Sequence, residues 1–172
     1  MARFEITGAS NLTGKIKVAG NKNSVLPIIA ACLLTEDTCI LENVPNISDV
    51  EVMSQLCQLC GAKVTRSAST LKISSKKIKS AEFPHNLTEK LRASILLLGP
   101  VLTRTGFVKM GYPGGDIIGR RPLETHVQAF EALGATLEEE DDFYIARAKS
   151  LKGTTIFLQE ASVTATENAL LA

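Results

Sequence analysis

The stretch Val25-Leu-Pro-Ile-Ile-Ala-Ala-Cys-Leu-Leu34 contains no polar residue. As a helix it is too short to cross a bilayer; Asn23 or Ser24 can cap it, and Pro27 is tolerated in its first turn. A helix that is apolar on every side must be surrounded by protein. The stretch therefore predicts a buried helix with sheets packed outside it.

The elements that follow this helix recur later in the chain. After it we predict a strand, an amphipathic helix and a hairpin: residues 39–41, about 49–60, and 64–73. The second set is an apolar helix broken by Gly99-Pro100, a strand, an amphipathic helix and a hairpin: residues 93–98, 107–109, 122–133, and 137–145. Gly61-Ala62 recurs as Gly134-Ala135, so the repeat is about seventy residues long.

A third unit begins at Gly153 with strand-like residues and reaches a helix start near Thr164 before the sequence ends. Because the apolar face of that helix has little to cover it, we expect a fragment of a longer chain. Alternation around Ile6 and around Ile16 predicts two short strands before the first unit. The predicted fold class is α/β (mixed α+β), built from repeated βαβαββ units with helices inside and sheets outside.

The composition fits a soluble globular protein built on aliphatic packing. Of 172 residues, 45% are apolar and none is Trp, and the formal net charge is +1. So small a charge, with few aromatic side chains, argues against nucleic acid as a partner. No apolar run reaches membrane-spanning length and no signal peptide opens the chain. We therefore expect a cytoplasmic protein that contacts no membrane and keeps its cysteines reduced.

Cys57 and Cys60 form a CxxC pair, a spacing found in zinc and redox sites. A single pair without further Cys or His ligands supports such a site only weakly. In the repeat, Cys57 corresponds to Phe130 and Cys60 to Leu133, which are apolar positions of the second amphipathic helix. We therefore predict that both thiols pack in the core and that the protein binds no metal.

A glycine-rich loop reads Gly111-Tyr-Pro-Gly-Gly-Asp-Ile-Ile-Gly-Arg-Arg-Pro122. It sets glycines around one carboxylate, Asp116, and places two arginines before a proline suited to a helix start. Backbone that bends freely on both sides of an acid is typical of a loop that closes over a ligand. The alternative is a surface turn leading into a helix, because loops rich in Gly and Pro are common.

Basic side chains stand at three helix starts: Lys22 at the first apolar helix, Arg92 at the second, and Arg120 and Arg121 at the helix that begins with Pro122. The helix macrodipole repels a cation at this end. An anion held by the backbone amides and these side chains together would reverse the repulsion. The alternative is that each long side chain turns away into solvent. The repetition favours a phosphate or carboxylate site.

Three motifs resemble those of the enolpyruvyl transferases: Gly20-Asn-Lys-Asn23, Leu91-Arg-Ala-Ser94, and Pro113-Gly-Gly-Asp-Ile-Ile-Gly-Arg-Arg-Pro-Leu-Glu-Thr-His126. The similarity runs from residue 4 to the end and is greatest to the members that act on UDP-N-acetylglucosamine. It implies two inside-out α/β barrel domains with the substrates bound between them. It also implies that residues 1–21 give strands to the second domain, and that residues 22–172 form part of the first.

The resemblance implies a reaction as well. These members transfer the enolpyruvyl group of phosphoenolpyruvate to the 3′-hydroxyl of UDP-N-acetylglucosamine and release phosphate, the committed step of peptidoglycan synthesis and so of cell wall growth, cell shape and division. The implied partners are these two small molecules, without a cofactor, and the implied full-length protein is a monomer. As a fragment, this chain is expected to be inactive.

The implied site residues are carried over by position. Asp116 would be the catalytic proton donor, where most members have a cysteine, and Lys22 and Arg121 would complete the catalytic set. Phosphoenolpyruvate would be held by Lys22, Asn23 and Arg121. The sugar nucleotide would be bound by nine residues: Asn23, Arg92, Arg121, Pro122, Leu123, Glu124, Thr125, Ser162 and Val163.

Some residues depart from the family pattern. A family lysine is replaced by Glu160 and a family aspartate by Glu124, so we expect altered nucleotide contacts. Because Asp116 replaces the usual thiol, fosfomycin, an epoxide that alkylates that thiol, should not inactivate the protein. Two other functions stay open: a shikimate-pathway enolpyruvyl transferase, which the loop around Asp116 disfavours, and a non-catalytic paralogue or binding module of the same fold.

Overall fold

The computed structural model describes residues 3–8, 11–115 and 123–172. The α-helices are α1 (Lys22–Ala31), α2 (Ser48–Leu59), α3 (His85–Thr88), α4 (Leu98–Thr105), α5 (Glu124–Ala132) and α6 (Val163–Leu170), and 3₁₀ helices lie at Cys32–Leu34 and Arg92–Leu97. The strands are β1 (Thr38–Leu41), β2 (Lys63–Ser67), β3 (Thr70–Ser74), β4 (Ala81–Phe83), β5 (Phe107–Gly111), β6 (Thr136–Glu140) and β7 (Phe143–Arg147).

The strands form two sheets. The first has the order β1-β3-β2 with antiparallel pairs, and the second has the order β4-β5-β7-β6, in which β4 runs parallel to β5. In β3, Leu71 and Ile73 are buried whereas Lys72 between them is exposed. Such alternation means that one face of the sheet covers the core and the other faces solvent.

The helical layer is centred on residues 92–105. Residues 94–102 are all buried, and Leu96, Leu97 and Leu98 have almost no exposed surface. This segment contacts α1, α2 and α6. Helices thus lie inside and sheets outside in the two complete units, as predicted. The described part of the third unit supplies α6, and the complete inside-out barrel stays a prediction.

The segment before α1 differs from the prediction. Residues 3–8 and 11–21 form neither helix nor strand, and Phe4, Ile6, Ile16 and Val18 are exposed. A strand needs a neighbour to accept and donate its backbone hydrogen bonds. Pairing of this segment with a second domain therefore stays a prediction.

The predicted helix break at Gly99-Pro100 is wrong. The chain passes from the 3₁₀ helix Arg92–Leu97 into α4, which continues through both residues. Pro100 lies in the first turn of α4, where a missing N–H costs little. A Cβ on Gly99 would lie 2.8 Å from the carbonyl oxygen of Asn168, so glycine here allows α6 to approach closely.

Three smaller predictions are corrected, and two short elements were missed. The cap of α1 is Asn21, whose side chain accepts a hydrogen bond from the backbone N–H of Ser24, rather than Asn23 or Ser24. Ile28 is 44% exposed, so α1 is not enclosed on every side. Residues 153–158 form no strand, and β4 and α3 were not predicted because both are very short.

The CxxC pair lies in the core, as predicted. Cys57 and Cys60 have no exposed surface, and the Cys60 S–H donates to the carbonyl oxygen of Cys57 at 3.0 Å. Burial raises the pKa of the Cys60 thiol to about 11. Both groups are therefore protonated packing residues at neutral pH.

Neither a membrane span nor a metal-binding cluster lies within residues 3–8, 11–115 and 123–172. No helix there has the length and apolar character of a membrane span. No group of three or more Cys, His, Asp or Glu side chains there is arranged to hold a metal ion.

Candidate functional site

A cavity of about 310 Å³ lies where the starts of α1, α2 and the 3₁₀ helix Arg92–Leu97 meet. Its polar lining is formed by Lys22, Asn23, Asp49, Lys90, Arg92 and Thr164. We call it the Lys22–Arg92 cavity. It brings together three residues that the sequence assigns to substrate binding and adds three that it did not.

Lys22 is the first residue of α1 and is paired with a carboxylate. Its Nζ forms an ion pair with Asp49, which lies in the first turn of α2. The Lys22 side chain is 54% exposed and that of Asp49 is 19% exposed. An ion pair this open to solvent contributes at most about 1 kcal/mol to stability. Its main effect is to hold the ammonium group at the cavity.

Arg92, the first residue of the second buried segment, is tied to the glycine-rich loop. Its Nη1 donates to the carbonyl oxygen of Pro113 at 3.2 Å. Lys22 and Arg92 therefore occupy matching places in the two repeat units, and their side chains line one cavity. The predicted gathering of cations at the helix starts is found for these two residues.

The described part of the loop packs tightly on the turn before Arg92. Backbone N–H groups of Gly114 and Gly115 donate to the carbonyl oxygens of Thr88 and Glu89 at 3.1 and 2.9 Å. A Cβ on Gly114 would lie 1.9 Å from the Glu89 oxygen, so no side chain fits there. Gly115 itself lines the Lys22–Arg92 cavity.

The predicted catalytic residues Asp116 and Arg121, together with Pro122, lie outside the described residues. The other predicted nucleotide contacts fall into two groups. Leu123 is buried just before α5, and Glu124 and Thr125 begin that helix. They line neither the Lys22–Arg92 cavity nor the adjoining one described next.

Ser162 and Val163 lie at the start of α6. Ser162 caps the helix, since its Oγ accepts from the backbone N–H of Ala165 at 3.2 Å. Val163 lines a second cavity of about 300 Å³, which shares Asn23 and Thr164 with the first. The start of α6 thus reaches the same region as the starts of α1 and of the second buried segment.

Three lining residues were missed by the sequence analysis. Asp49 stands in a helix first turn, where a carboxylate is favourable whatever its further role. Lys90 lies directly before the motif Leu91-Arg-Ala-Ser94 and two residues before Arg92, which was the available signal. Thr164 directly follows the predicted pair Ser162 and Val163, but a hydroxyl in a helix start is too common to be informative.

The fold is that of an enolpyruvyl transferase. It aligns with the crystal structure of the enolpyruvyl transferase NikO from Streptomyces tendae with a TM-score of 0.77 and 22% identity, over 95% of this chain and 39% of that one. It also aligns with EPSP synthase from Acinetobacter baumannii with a TM-score of 0.74 and 20% identity, over 92% of this chain and 37% of that one.

The sequence places the chain within a family. A family model described as EPSP synthase (3-phosphoshikimate 1-carboxyvinyltransferase) matches residues 6–172, and the chain belongs to that family.

Curated relatives are more similar than the solved structures. A protein from Bradyrhizobium diazoefficiens is 50% identical over 99% of this chain, and one from Borrelia garinii is 45% identical over all of it. Both are named UDP-N-acetylglucosamine 1-carboxyvinyltransferase. This chain spans 39% of the first protein and 40% of the second.

Proposed function

We propose that this chain forms part of a site that transfers the enolpyruvyl group of phosphoenolpyruvate to the 3′-hydroxyl of UDP-N-acetylglucosamine, with release of phosphate. The observation that carries the proposal is the meeting of Lys22, Asn23 and Arg92 at one cavity. The names of the relatives at 45% to 50% identity support the choice of substrates.

Lys22 and Asn23 are proposed to bind phosphoenolpyruvate. An ammonium group and an amide at the start of α1 add to the positive end of the helix macrodipole, which suits a phosphate or carboxylate group. Arg121 is proposed to share this role, by resemblance alone. The ion pair with Asp49 keeps the Lys22 ammonium at the cavity before the anion arrives.

Asp116 is proposed as the acid that protonates the methylene carbon of phosphoenolpyruvate while the sugar hydroxyl attacks the neighbouring carbon. The hydroxyl gives up its own proton to a general base as it attacks. The tetrahedral adduct then loses phosphate and a methyl proton, so that of the two protons released one restores Asp116 and the other balances the leaving phosphate. Asp116 follows Gly115 in the sequence, and Gly115 lines the cavity, which supports the assignment. A carboxylic acid can donate a proton in place of a thiol if its pKa is raised at the moment of reaction.

Arg92, Ser162 and Val163 are proposed to contact the sugar nucleotide, together with residues 121–125. A cytoplasmic location and a monomeric state belong to the same proposal, which concerns the protein at the length of its relatives. Because this chain spans about 40% of those relatives, we expect it to bind substrate rather than to turn it over when assayed alone.

Phosphate release tests the proposal. A version extended to the length of the relatives should release phosphate from phosphoenolpyruvate with UDP-N-acetylglucosamine and not with shikimate 3-phosphate. Release with shikimate 3-phosphate alone would assign the shikimate reaction instead. Binding of both proposed substrates without release would favour a binding module.

Fosfomycin tests the role of Asp116. We expect no time-dependent inactivation of the extended protein, whereas an Asp116→Cys variant should become sensitive, because it restores the nucleophilic thiol. Inactivation of the unaltered protein, with the adduct on residues 111–122, would contradict the assignment.

A further inference from the structure

A chain of hydrogen bonds joins Asn168 on α6 and His126 on α5 to Thr164, which lines the Lys22–Arg92 cavity. Asn168 has no exposed surface and His126 is 4% exposed. Polar side chains buried to this extent are almost always hydrogen-bonded, so the bonds they make define their state. Neither residue has a place in the proposed function so far.

The amide of Asn168 has one acceptable orientation. The backbone N–H of Gly99, which can only donate, lies 3.1 Å from Oδ1, and the carbonyl oxygen of Ile95, which can only accept, lies 2.8 Å from Nδ2. If the two amide atoms were exchanged, the amide nitrogen would face the Gly99 N–H, so two donors would meet. The amide oxygen would face the Ile95 carbonyl oxygen, so two acceptors would meet. Nδ2 is therefore the atom that faces His126.

This orientation determines the tautomer of His126. Asn168 Nδ2 lies 3.2 Å from His126 Nδ1, and because an amide nitrogen donates, Nδ1 must accept and carry no proton. The neutral ring then carries its proton on Nε2. Burial, and secondly the nearby Arg92 guanidinium, lower the pKa of His126 to about 4, so the ring is neutral at pH 7.

The tautomer in turn determines what Thr164 can do. His126 Nε2 lies 3.3 Å from Thr164 Oγ1 and donates to it, so the hydroxyl oxygen acts as an acceptor in this bond. The hydroxyl hydrogen remains for an acceptor other than His126. In a cavity lined by Lys22 and Arg92, the acceptor expected is an anionic oxygen.

We propose that Thr164 donates a hydrogen bond to a phosphate oxygen of the bound ligand, and that Asn168 and His126 are positioning residues that hold Thr164 in this role. The proposal rests on the proposed function, because it concerns the same cavity. It adds a binding group that the family resemblance did not assign and gives a reason for two buried polar side chains, His126 and Asn168.

The tautomer is tested by nitrogen NMR on the ¹⁵N-histidine-labelled chain. The chain has only two histidines, His85 and His126, so assignment is direct. His85 is half-exposed beside Glu89 and serves as the internal reference. At neutral pH we expect the proton of His126 on Nε2 and an unprotonated Nδ1. A proton on Nδ1 would overturn the proposal.

The donor role is tested by titrating phosphoenolpyruvate and UDP-N-acetylglucosamine separately into the chain, following backbone amide shifts. Thr164→Val keeps the shape and removes the donor, so it should weaken binding of the ligand whose phosphate reaches Thr164 roughly tenfold or more. Thr164→Ser should bind like the unaltered chain. Thr166→Val is the control, because Thr166 lies on the same helix and is exposed, and its hydroxyl donates to the Ser162 carbonyl.

If Thr164→Val weakens the binding of only one of the two ligands, the phosphate of that ligand is the one that Thr164 contacts. Unchanged affinity of Thr164→Val for both ligands, with the unaltered chain still binding, overturns the donor role and leaves the proposed function standing. Failure of the unaltered chain to bind either ligand overturns the expectation that this chain binds substrate alone and, with it, the donor role in this chain. Phosphate release by the extended protein still tests the proposed function separately.

Discussion

The two complete repeat units place a basic residue at the same point, the start of the buried helical segment, and hold it differently. In the first unit Lys22 is ion-paired with a side chain, Asp49. In the second, Arg92 donates to the backbone of the glycine-rich loop at Pro113. Lys22 is thus positioned within the helical layer, whereas Arg92 couples the cavity to the loop. Changes at Arg92 should therefore disturb both the cavity and the glycine-rich loop.

The largest difference between the units is expected in their cores. Phe130 and Cys57 are equivalent in the repeat, and both have no exposed surface. Phe130→Ala should lower the free energy of unfolding by about 3–5 kcal/mol, because it removes a whole ring and leaves a cavity. Cys57→Ala should cost about 1 kcal/mol, since it removes a single sulfur atom. Urea denaturation measures both losses, and equal losses would contradict the expectation that the cost follows the size of the side chain removed.

The next effect is a dependence of the free energy of unfolding on pH that arises from His126, in the second unit. His126 corresponds in the repeat to Met53, which is also buried. Its pKa is lowered to about 4 by burial and then by Arg92, whereas an unfolded histidine titrates near 6.5. Between these values the unfolded chain binds the proton and the folded chain does not. The stabilisation is therefore complete above pH 6.5 and is lost as the pH falls to about 4, in total about 3 kcal/mol.

Urea denaturation from about pH 7 to about pH 4.5 checks this dependence. His126→Met, which copies the residue of the first unit, should be less sensitive to acid than the unaltered chain. If His126→Met is as sensitive to acid as the unaltered chain, the acid sensitivity comes from other groups.

A third effect concerns Arg92, the cation that is tied to the glycine-rich loop. Arg92→Met should weaken binding of phosphoenolpyruvate or the sugar nucleotide roughly tenfold or more, because a hydrogen bond to a charged group contributes about 1.5–3 kcal/mol. The NMR titration should also show shifted Gly114 and Gly115 amides before ligand is added. Arg147→Met removes an equal charge from β7 and should change neither the affinity nor these amides.

The smallest effect concerns the partner of Lys22. Asp49→Asn should change the free energy of unfolding by less than about 1 kcal/mol, because the ion pair is half-exposed. Thermal denaturation at low and high salt measures it, and the small difference should shrink as salt screens the pair. A loss of several kcal/mol would mean that Asp49 supports the fold and not only the position of Lys22.

The repeat and its inside-out layering could be predicted because the apolar pattern of residues 25–34 and 93–98 determines them locally. Cys57 and Cys60 were assigned to the core by alignment within the chain. The continuation of the helix through Gly99-Pro100 was missed because α4 begins at Leu98, so Pro100 lies in its first turn, where proline is tolerated, and the apolar pattern does not show where that turn begins. The segment before α1 has a strand-like pattern but lacks a pairing partner in the described residues.

The site was predictable only in part for a related reason. Lys22, Asn23 and Arg92 were accessible to sequence analysis because they stand at helix starts within recognisable motifs. Asp49 and Thr164 belong to the site through tertiary contact, and each has a sufficient local explanation at its helix start. His126 and Asn168 were not predicted as a pair because α5 and α6 each look like ordinary amphipathic helices.

The most direct test of the anion cavity is an NMR titration of the chain with phosphoenolpyruvate. If Lys22 and Arg92 bind one anion, the amides at the start of α1 and of the 3₁₀ helix Arg92–Leu97 will shift together with a single dissociation constant. Lys22→Met will then weaken both sets of shifts. Shifts at only one of the two helix starts, or at neither, would contradict the account.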